Sequence, residues 1–219
     1  KKNIKFKIIG DKKTIINKYF FNLFKDYIEF VDINNLDNTI LDEELYKSKN
    51  LHWVMPDNSN YYQIAHKTFS NSLKRWGANK YEPIIKVPNN DNKKIFEFKK
   101  YYNIPFDKKI ICIHIRGNDL LQNHNIKADK FRTSSINDYI ETINFINSKG
   151  IYVVRIGDKF VNFNTNSLNN KDMFIDYPKG NLKSDMMDII LINNSELFIG
   201  TNSGPHWVAS SLGKKLCLI

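Results

Sequence analysis

Three short stretches concentrate the side chains able to do chemistry: Ile113-His114-Ile115-Arg116-Gly117-Asn118-Asp119, Arg155-Ile156-Gly157-Asp158 and Thr201-Asn202-Ser203-Gly204-Pro205-His206. Each follows an apolar run and mixes charged, amide or hydroxyl groups with glycine. In the third, Pro205 sits where N1 of a following helix should be, so unpaired N–H groups and the positive end of a helix dipole would face an anion. Arg116 would add a planar fork that fits phosphate or carboxylate in bidentate fashion. The expectation is a shared phosphate or diphosphate site drawing on Arg116, Arg155, Asp158, Thr201, Asn202, Ser203, Gly204 and His206. In the same reading the apolar run stops at Gly200 so that a diphosphate can approach the backbone, and the helix restarts beneath it. The plainer alternative for this loop is a Ser N-cap on an ordinary strand-to-helix turn.

Composition sharpens the reading of the arginines. Of 33 basic residues only Arg75, Arg116, Arg132 and Arg155 are Arg; the rest are Lys, scattered among an abundance of Asn. Where Lys would serve, this chain uses Lys, so a retained Arg points to a need for the fork. The net charge of +10 is spread rather than clustered, and no nucleic-acid-binding pattern accompanies it. No nucleic acid is expected as partner.

Elements that must position these residues follow from periodicity. Ile4 to Ile9, helix Lys13 to Tyr27 and Ile28 to Val31 predict a β-α-β unit. Leu51 to Met55 reads as a strand and Tyr61 to Trp76 as a helix ending at Gly77. Past Pro88 the alternation predicts helix Lys93 to Tyr102, strand Lys109 to Ile115, helix Ile136 to Ser148, strand Tyr152 to Ile156, helix Asp185 to Asn193, strand Leu197 to Gly200, helix Pro205 to Leu212 and strand Lys215 to Ile219. Short apolar strands alternating with helices of about ten residues call for a doubly wound parallel sheet covered on both faces. The expected fold is therefore α/β, with two Rossmann-like domains over 1–88 and 89–219, the first incomplete and the chain a fragment of a longer protein. All three chemical stretches then lie at strand C-terminal ends, where open α/β sheets bind ligands.

Several function classes drop out. No G-x-G-x-x-G and no G-x-x-x-x-G-K-[ST] is present, against the common dinucleotide and P-loop classes. His52, His66 and His124 follow no metal spacing, and neither Cys-x-x-Cys nor His-x-x-x-His occurs, so no zinc site and no cofactor is expected. Cys112 and Cys217 lie in apolar runs and read as core thiols in a reducing compartment. No apolar stretch approaches the roughly 20 residues of a membrane-spanning helix, and no export signal is visible; the expected location is cytoplasmic. Met186, Met187 and Ile189 to Ile192 read as core, Asp185 and Asp188 as charges at a helix start capped by Ser184. Tyr177-Pro178 and the polar Lys179 to Ser184 read either as a turn or as a loop covering a ligand.

Asn202-Ser203-Gly204-Pro205-His206-Trp207-Val208-Ala209 resembles the donor-site signature of GT-B glycosyltransferases of the heptosyltransferase type, which more often carry Asp at the place of Asn202 and one more residue between Pro and His. His114-Ile-Arg116-Gly-Asn-Asp119 is similar to the His-x-Arg-x-x-Asp motif of fucosyltransferase-like GT-B enzymes, whose Arg holds the donor phosphates. Phe131-Arg132, Ile136 to Tyr139 and Gly150 to Asp158 together resemble a bacterial glycosyltransferase family found with surface-polysaccharide genes. The resemblance covers about Ile110 to Ile219. It implies metal-independent transfer of a sugar from a nucleoside diphosphate sugar to a glycan or lipid-linked glycan, with peripheral membrane association. Arg116, Arg132 and the loop N–H groups would balance the leaving diphosphate. An acceptor hydroxyl also needs a general base: Asp119 is the best-placed carboxylate and His114 the runner-up, the alternative for either being to orient Arg116, and Asp57, by its position after Leu51 to Met55, is a further candidate from the opposite domain. A non-catalytic sugar- or nucleotide-binding relic and a nucleotide-sugar epimerase are the alternatives.

Overall fold

The strand that organises the chain is an unbroken apolar run, Ile110-Ile-Cys-Ile-His114, buried at every position, as a strand flanked on both faces must be. In the computed structural model, which describes residues 6–10, 12–15, 17–32, 34, 78–79, 82–83, 85–116, 134–159 and 164–219, this strand, β3, is the centre of a five-stranded sheet. Before it come β1 (Phe6–Gly10) and β2 (Ile28–Asp32), and after it β4 (Tyr152–Ile156), β5 (Phe174–Asp176), β6 (Phe198–Gly200) and β7 (Leu216–Leu218). The order is β5-β4-β3-β6-β7 and every pairing is parallel. Counting from β3, this is the 3-2-1-4-5 order of a Rossmann-like half. The α/β class and the parallel sheet are thus as expected. β1 and β2 form a separate parallel pair.

The helices are α1 (Lys18–Asn22), α2 (Asn89–Asn92), α3 (Lys94–Tyr101), α4 (Ile140–Ser148), α5 (Asp185–Asn194) and α6 (Gly204–Ser211). Strand alternation sends Ile110, Cys112, Val154, Ile156 and Phe198 to one face, where α3, α5 and α6 cover them with Phe98, Met187, Ile190 and Ala209. Ile111, Ile113, Ile115, Val153 and Ile199 go to the other, under Ile136, Tyr139, Ile143 and Ile146 of α4 and the turn before it. Each such aliphatic side chain contributes about 1.5–3 kcal/mol on burial, so the two layers together fix the sheet. Caps set the helix starts: Ser184 Oγ accepts from Met187 N at 3.2 Å, and Ser135 and Asp138 exchange bonds with each other's first-turn backbone, satisfying N–H groups that the helix itself leaves open.

Some expectations change. The helix expected over Lys13 to Tyr27 is a 3-10 turn at Lys12–Thr14 followed by the five-residue α1. Asn17 is the reason: its side chain accepts from Phe20 N at 2.7 Å and so restarts the helix as an N-cap. Ile136 to Ser148 begins as a 3-10 turn before α4. β5 was not expected at all; three residues are too few to show a period. The chain gathers into two compact units, one of Lys1–Ile16 with Lys25–Glu82, the other of Asn17–Phe24 with Pro83–Ile219; everything below concerns the second. The strand and helix expected between Leu51 and Trp76 lie outside the described residues.

Candidate functional site

β3 leads to α4 on one face of the sheet and β6 leads to α6 on the other, so the backbones leaving the C-terminal ends of these adjacent strands diverge. Such a topological switch point is where open α/β sheets bind ligands. β3 ends in His114-Ile115-Arg116 and β6 in Gly200-Thr201-Asn202-Ser203, with α6 starting at Gly204.

His114, 7% exposed, ties the three strand ends together. Its Nδ1 stands 3.0 Å from Ser203 Oγ, which is also 3.1 Å from the Thr201 carbonyl. A carbonyl only accepts, so the single hydroxyl proton of Ser203 goes to Thr201 and His114 Nδ1–H donates to Ser203. The other edge of the ring lies against Gly157: a Cβ there would come 2.7 Å from His114 Cδ2 and 2.9 Å from Nε2. With φ +108, Gly157 supplies both a backbone conformation that side chains disfavour and the space for the ring. Burial first, then the charges of Arg155, Arg116, His206 and Lys183, push the imidazole down to about 4. It is neutral at physiological pH, a weak base with Nε2 covered. The geometry therefore makes His114 a positioning residue for the 201–203 loop, which corrects its expectation as runner-up base.

Arg116, half-buried, is the cation at the end of β3, and its carbonyl accepts from Ser134 N at 3.3 Å. Arg155 does something else. It is fully buried, with Nε and Nη2 each 2.5 Å from Asp176 Oδ1 and Nη1 donating to Asp158 O at 2.7 Å. Its fork joins β4, β5 and the turn at Gly157–Asp158. Arg155 offers no surface to a ligand, and its place among the ligand-binding residues gives way to a structural one. Asp158 lends its carbonyl to that strut.

The 201–206 loop departs from expectation in two respects. Pro205 is at N2 rather than N1, with Gly204 at N1 and Ser203 as N-cap. His206 Nδ1 accepts from Ser203 N at 3.0 Å, the reciprocal half of a capping box; the same nitrogen lies 2.7 Å from Ser203 O. His206 is buried and its pKa is lowered by that burial, with its hydrogen bond to the Ser203 backbone opposing. Its function here is to hold the helix start. With Ser203 N so engaged and Pro205 lacking an N–H, Gly204 N–H is a first-turn donor with no intrahelical acceptor. Thr201 is 4% exposed and its Oγ1 is buried without a hydrogen-bond partner, an uncommon condition for a hydroxyl. Asn202 is exposed at the lip.

The glycines separate fold from site. A Cβ at Gly200 would fall 2.6 Å from the His114 carbonyl, whereas one at Gly204 would meet nothing within 4 Å. Close approach of β6 to β3 therefore accounts for Gly200, in place of the diphosphate expected there. Gly200→Ala is expected to cost about 1–3 kcal/mol through forced displacement of the central strand, and Gly204→Ala to be neutral or stabilising by up to about 1 kcal/mol. Urea unfolding of both variants checks this, and a Gly200→Ala protein as stable as the parent would contradict it.

Lys183 lies in the polar Lys179 to Ser184 stretch, within which sequence reasoning did not single it out. It precedes α5 at the same sheet edge, its Nζ pairs closely with Asp188 Oδ2 and lies 5.3 Å from the centre of the Tyr177 ring, and its charge acts on His114. Burial raises the pKa of Asp188, with Lys183 opposing. One Lys among so many carries no signal in the sequence. Asp57, Asp119 and Arg132 lie outside the described residues. Among the described residues no group of three or more His, Cys, Asp or Glu is arranged to hold a metal ion.

No protein-family model matches the chain, and no curated protein matches it either. Among solved structures, the ADP-heptose LPS heptosyltransferase II of E. coli is similar over 61% of this chain and 38% of its own, at 14% identity and a TM-score of 0.44. KpsC of Thermosulfurimonas dismutans, a β-Kdo 2,7 transferase, is similar over 98% of this chain and 78% of its own, at 12% identity and a TM-score of 0.34. The chain thus spans well under half the length of the heptosyltransferase.

Proposed function

We propose that the unit containing Pro83–Ile219 is the donor-binding half of a GT-B glycosyltransferase, binding a nucleoside diphosphate sugar with its diphosphate at the β3/β6 switch point. The observation that carries this reading is the juxtaposition at adjacent strand ends of Arg116, the start of α6 at Gly204, where a Cβ would meet nothing within 4 Å, and a neutral His114 bracing the 201–203 loop. A neutral imidazole adds no charge of its own beside Arg116. As the sugar leaves, charge grows on the diphosphate, and a fixed guanidinium and helix N-terminus stabilise it without reorganising. No metal enters this account. Arg132 is proposed as a further phosphate ligand and Asp119 as the base that takes the proton of the acceptor hydroxyl. The acceptor class is a glycan or lipid-linked glycan, handled at a membrane surface.

Arg116→Lys keeps the charge and loses the fork; it is expected to weaken binding of nucleoside diphosphate sugars by about 1–3 kcal/mol. Gly204→Val fills the open space above the helix start and is expected to weaken binding at least as much. Both should leave unliganded melting nearly unchanged. Calorimetric titration of a panel of nucleoside diphosphate sugars, paired with melting of each variant, tests this. Parent-like binding by both variants, or loss of binding only through unfolding, would refute the reading.

A further inference from the structure

The largest side chain of α6 stands where water reaches it. Trp207, in the first turn of the helix, is 40% exposed, although His206 and Ala209 on the same helix are buried. This chain covers its surface with Lys and Asn and has only three Trp, and an indole left in water forgoes a large apolar area that a core would use. Single exposed rings are ordinary; Phe145 of α4, 63% exposed with Lys149 Nζ 5.2 Å from its centre, is one. Trp207 differs in where it stands.

Side chains on a helix lean toward its N-terminus, so this indole is carried back over the turn that starts α6. Its contacts agree. The ring centre lies 4.2 Å from that of His206, at a tilt of 40°, and His206 Nδ1 accepts from Ser203 N at the cap of the helix. Gly204, three residues before Trp207 and so its neighbour on the helix surface, is the position where a Cβ would meet nothing within 4 Å. A broad aromatic ring therefore adjoins the helix start at the end of β6, the strand paired with the one that leads to Arg116.

We propose that Trp207 is a stacking platform for a ring that the bound diphosphate carries, which makes it a specificity-determining residue of the site. The proposal rests on the reading of the β3/β6 switch point as a diphosphate site. An anion held at the helix start brings its substituents within reach of the indole. A nucleobase offers a π face and a pyranose an apolar C–H face, and either gains by covering the part of the indole that water now reaches. The guanidinium and the helix N-terminus recognise charge alone; the indole separates a diphosphate that carries a ring from one that does not.

The test is calorimetric titration of the 219-residue chain with inorganic pyrophosphate, which has no ring, with UDP, ADP and GDP, which carry a base, and with UDP-glucose, ADP-glucose and GDP-glucose, which carry a base and a sugar. Trp207→Ala is expected to bind pyrophosphate as the parent does and the best ring-bearing probe about tenfold or more weakly, the scale of one stacked ring. Trp207→Phe, with a smaller face, should recover part of that loss, and Phe145→Ala should bind every probe as the parent does. A loss already present with the nucleoside diphosphates assigns the base to the indole; a loss seen only with the glucose-bearing probes assigns the sugar. Tryptophan emission should change when a ring-bearing probe binds the parent, and the change should be missing from Trp207→Phe, which decides the matter if Trp207→Ala does not fold. The proposal is overturned by parent-like affinity of Trp207→Ala for all ring-bearing probes, by an equal loss for pyrophosphate, by ring-bearing probes that bind the parent no more tightly than pyrophosphate, or by an emission change retained in Trp207→Phe. In each of these outcomes the diphosphate site itself stands. A parent that does not bind pyrophosphate overturns the diphosphate reading, and this proposal with it.

Discussion

Asp176→Ala is expected to destabilise the protein by about 3 kcal/mol, because it leaves the Arg155 guanidinium buried with only the Asp158 carbonyl as partner. Stranding one member of a buried pair costs about 3–5 kcal/mol, and the lower end applies since Asp176 is itself 21% exposed and water can follow. Replacing both partners by apolar residues, Arg155→Met with Asp176→Leu, is expected to restore most of the loss, as the desolvation of two charges disappears with them. Denaturant unfolding of the parent, Asp176→Ala and the double variant gives the comparison. A single variant within about 0.5 kcal/mol of the parent, the range of an ordinary surface change, would show that Arg155 is not held as a strut. Its return to the ligand-binding residues would then be warranted.

Acid is expected to weaken the fold through His114. Its imidazole is pushed from 6.5 to about 4, so between these values the unfolded chain binds a proton that the folded chain refuses, and stability falls as pH drops through the window. Above it both states are neutral and His114 contributes nothing to the slope; below about 4 the loss is complete. Its size is about 3 kcal/mol, the free-energy equivalent of the shift. Unfolding free energies for the parent and His114→Gln from about pH 7.5 to 4.5 isolate this group, because the carboxylates titrate in both proteins. The variant is expected to start lower, having lost the bond to Ser203, and to decline less. Parallel declines would mean that the ring is open to water and free to act as a base.

How much of this was legible in the sequence depends on length and on distance along the chain. β3, β4, β6 and β7 announced themselves as apolar runs, and α5 and α6 as the helices between them, within one or two residues of where they lie. The parallel order followed from alternation alone. β5 escaped because Phe174-Ile175-Asp176 is too short to show a period, and with it went the partner of Arg155. The argument that a retained Arg needs a planar fork held for Arg155, but its carboxylate is internal, 21 residues away. Gly200 was read as making room for a ligand when it makes room for a carbonyl on the neighbouring strand, a contact that only the sheet register reveals. The loop at 201–206 was legible as a helix start; that His206 would spend its Nδ1 on Ser203 was not, since the spacing suits a ligand contact equally well.

Helix α1 lies in the chain between β1 and β2, yet it is seated in the other unit: Asn17 Nδ2 donates to Asp185 O and Lys18 N to Asp185 Oδ2, each at 3.1 Å, across 168 and 167 residues. Tyr19, Phe20, Leu23 and Phe24 pack against the core face that α5 helps to build. During synthesis these rings emerge long before their seat exists. Contacts so distant along the chain form late and slowly, and until α5 is complete an apolar helix has no native place to go, the condition under which nascent chains associate wrongly or engage chaperones. A helix made well over a hundred residues before its seat is thus expected to find its place only once that seat exists.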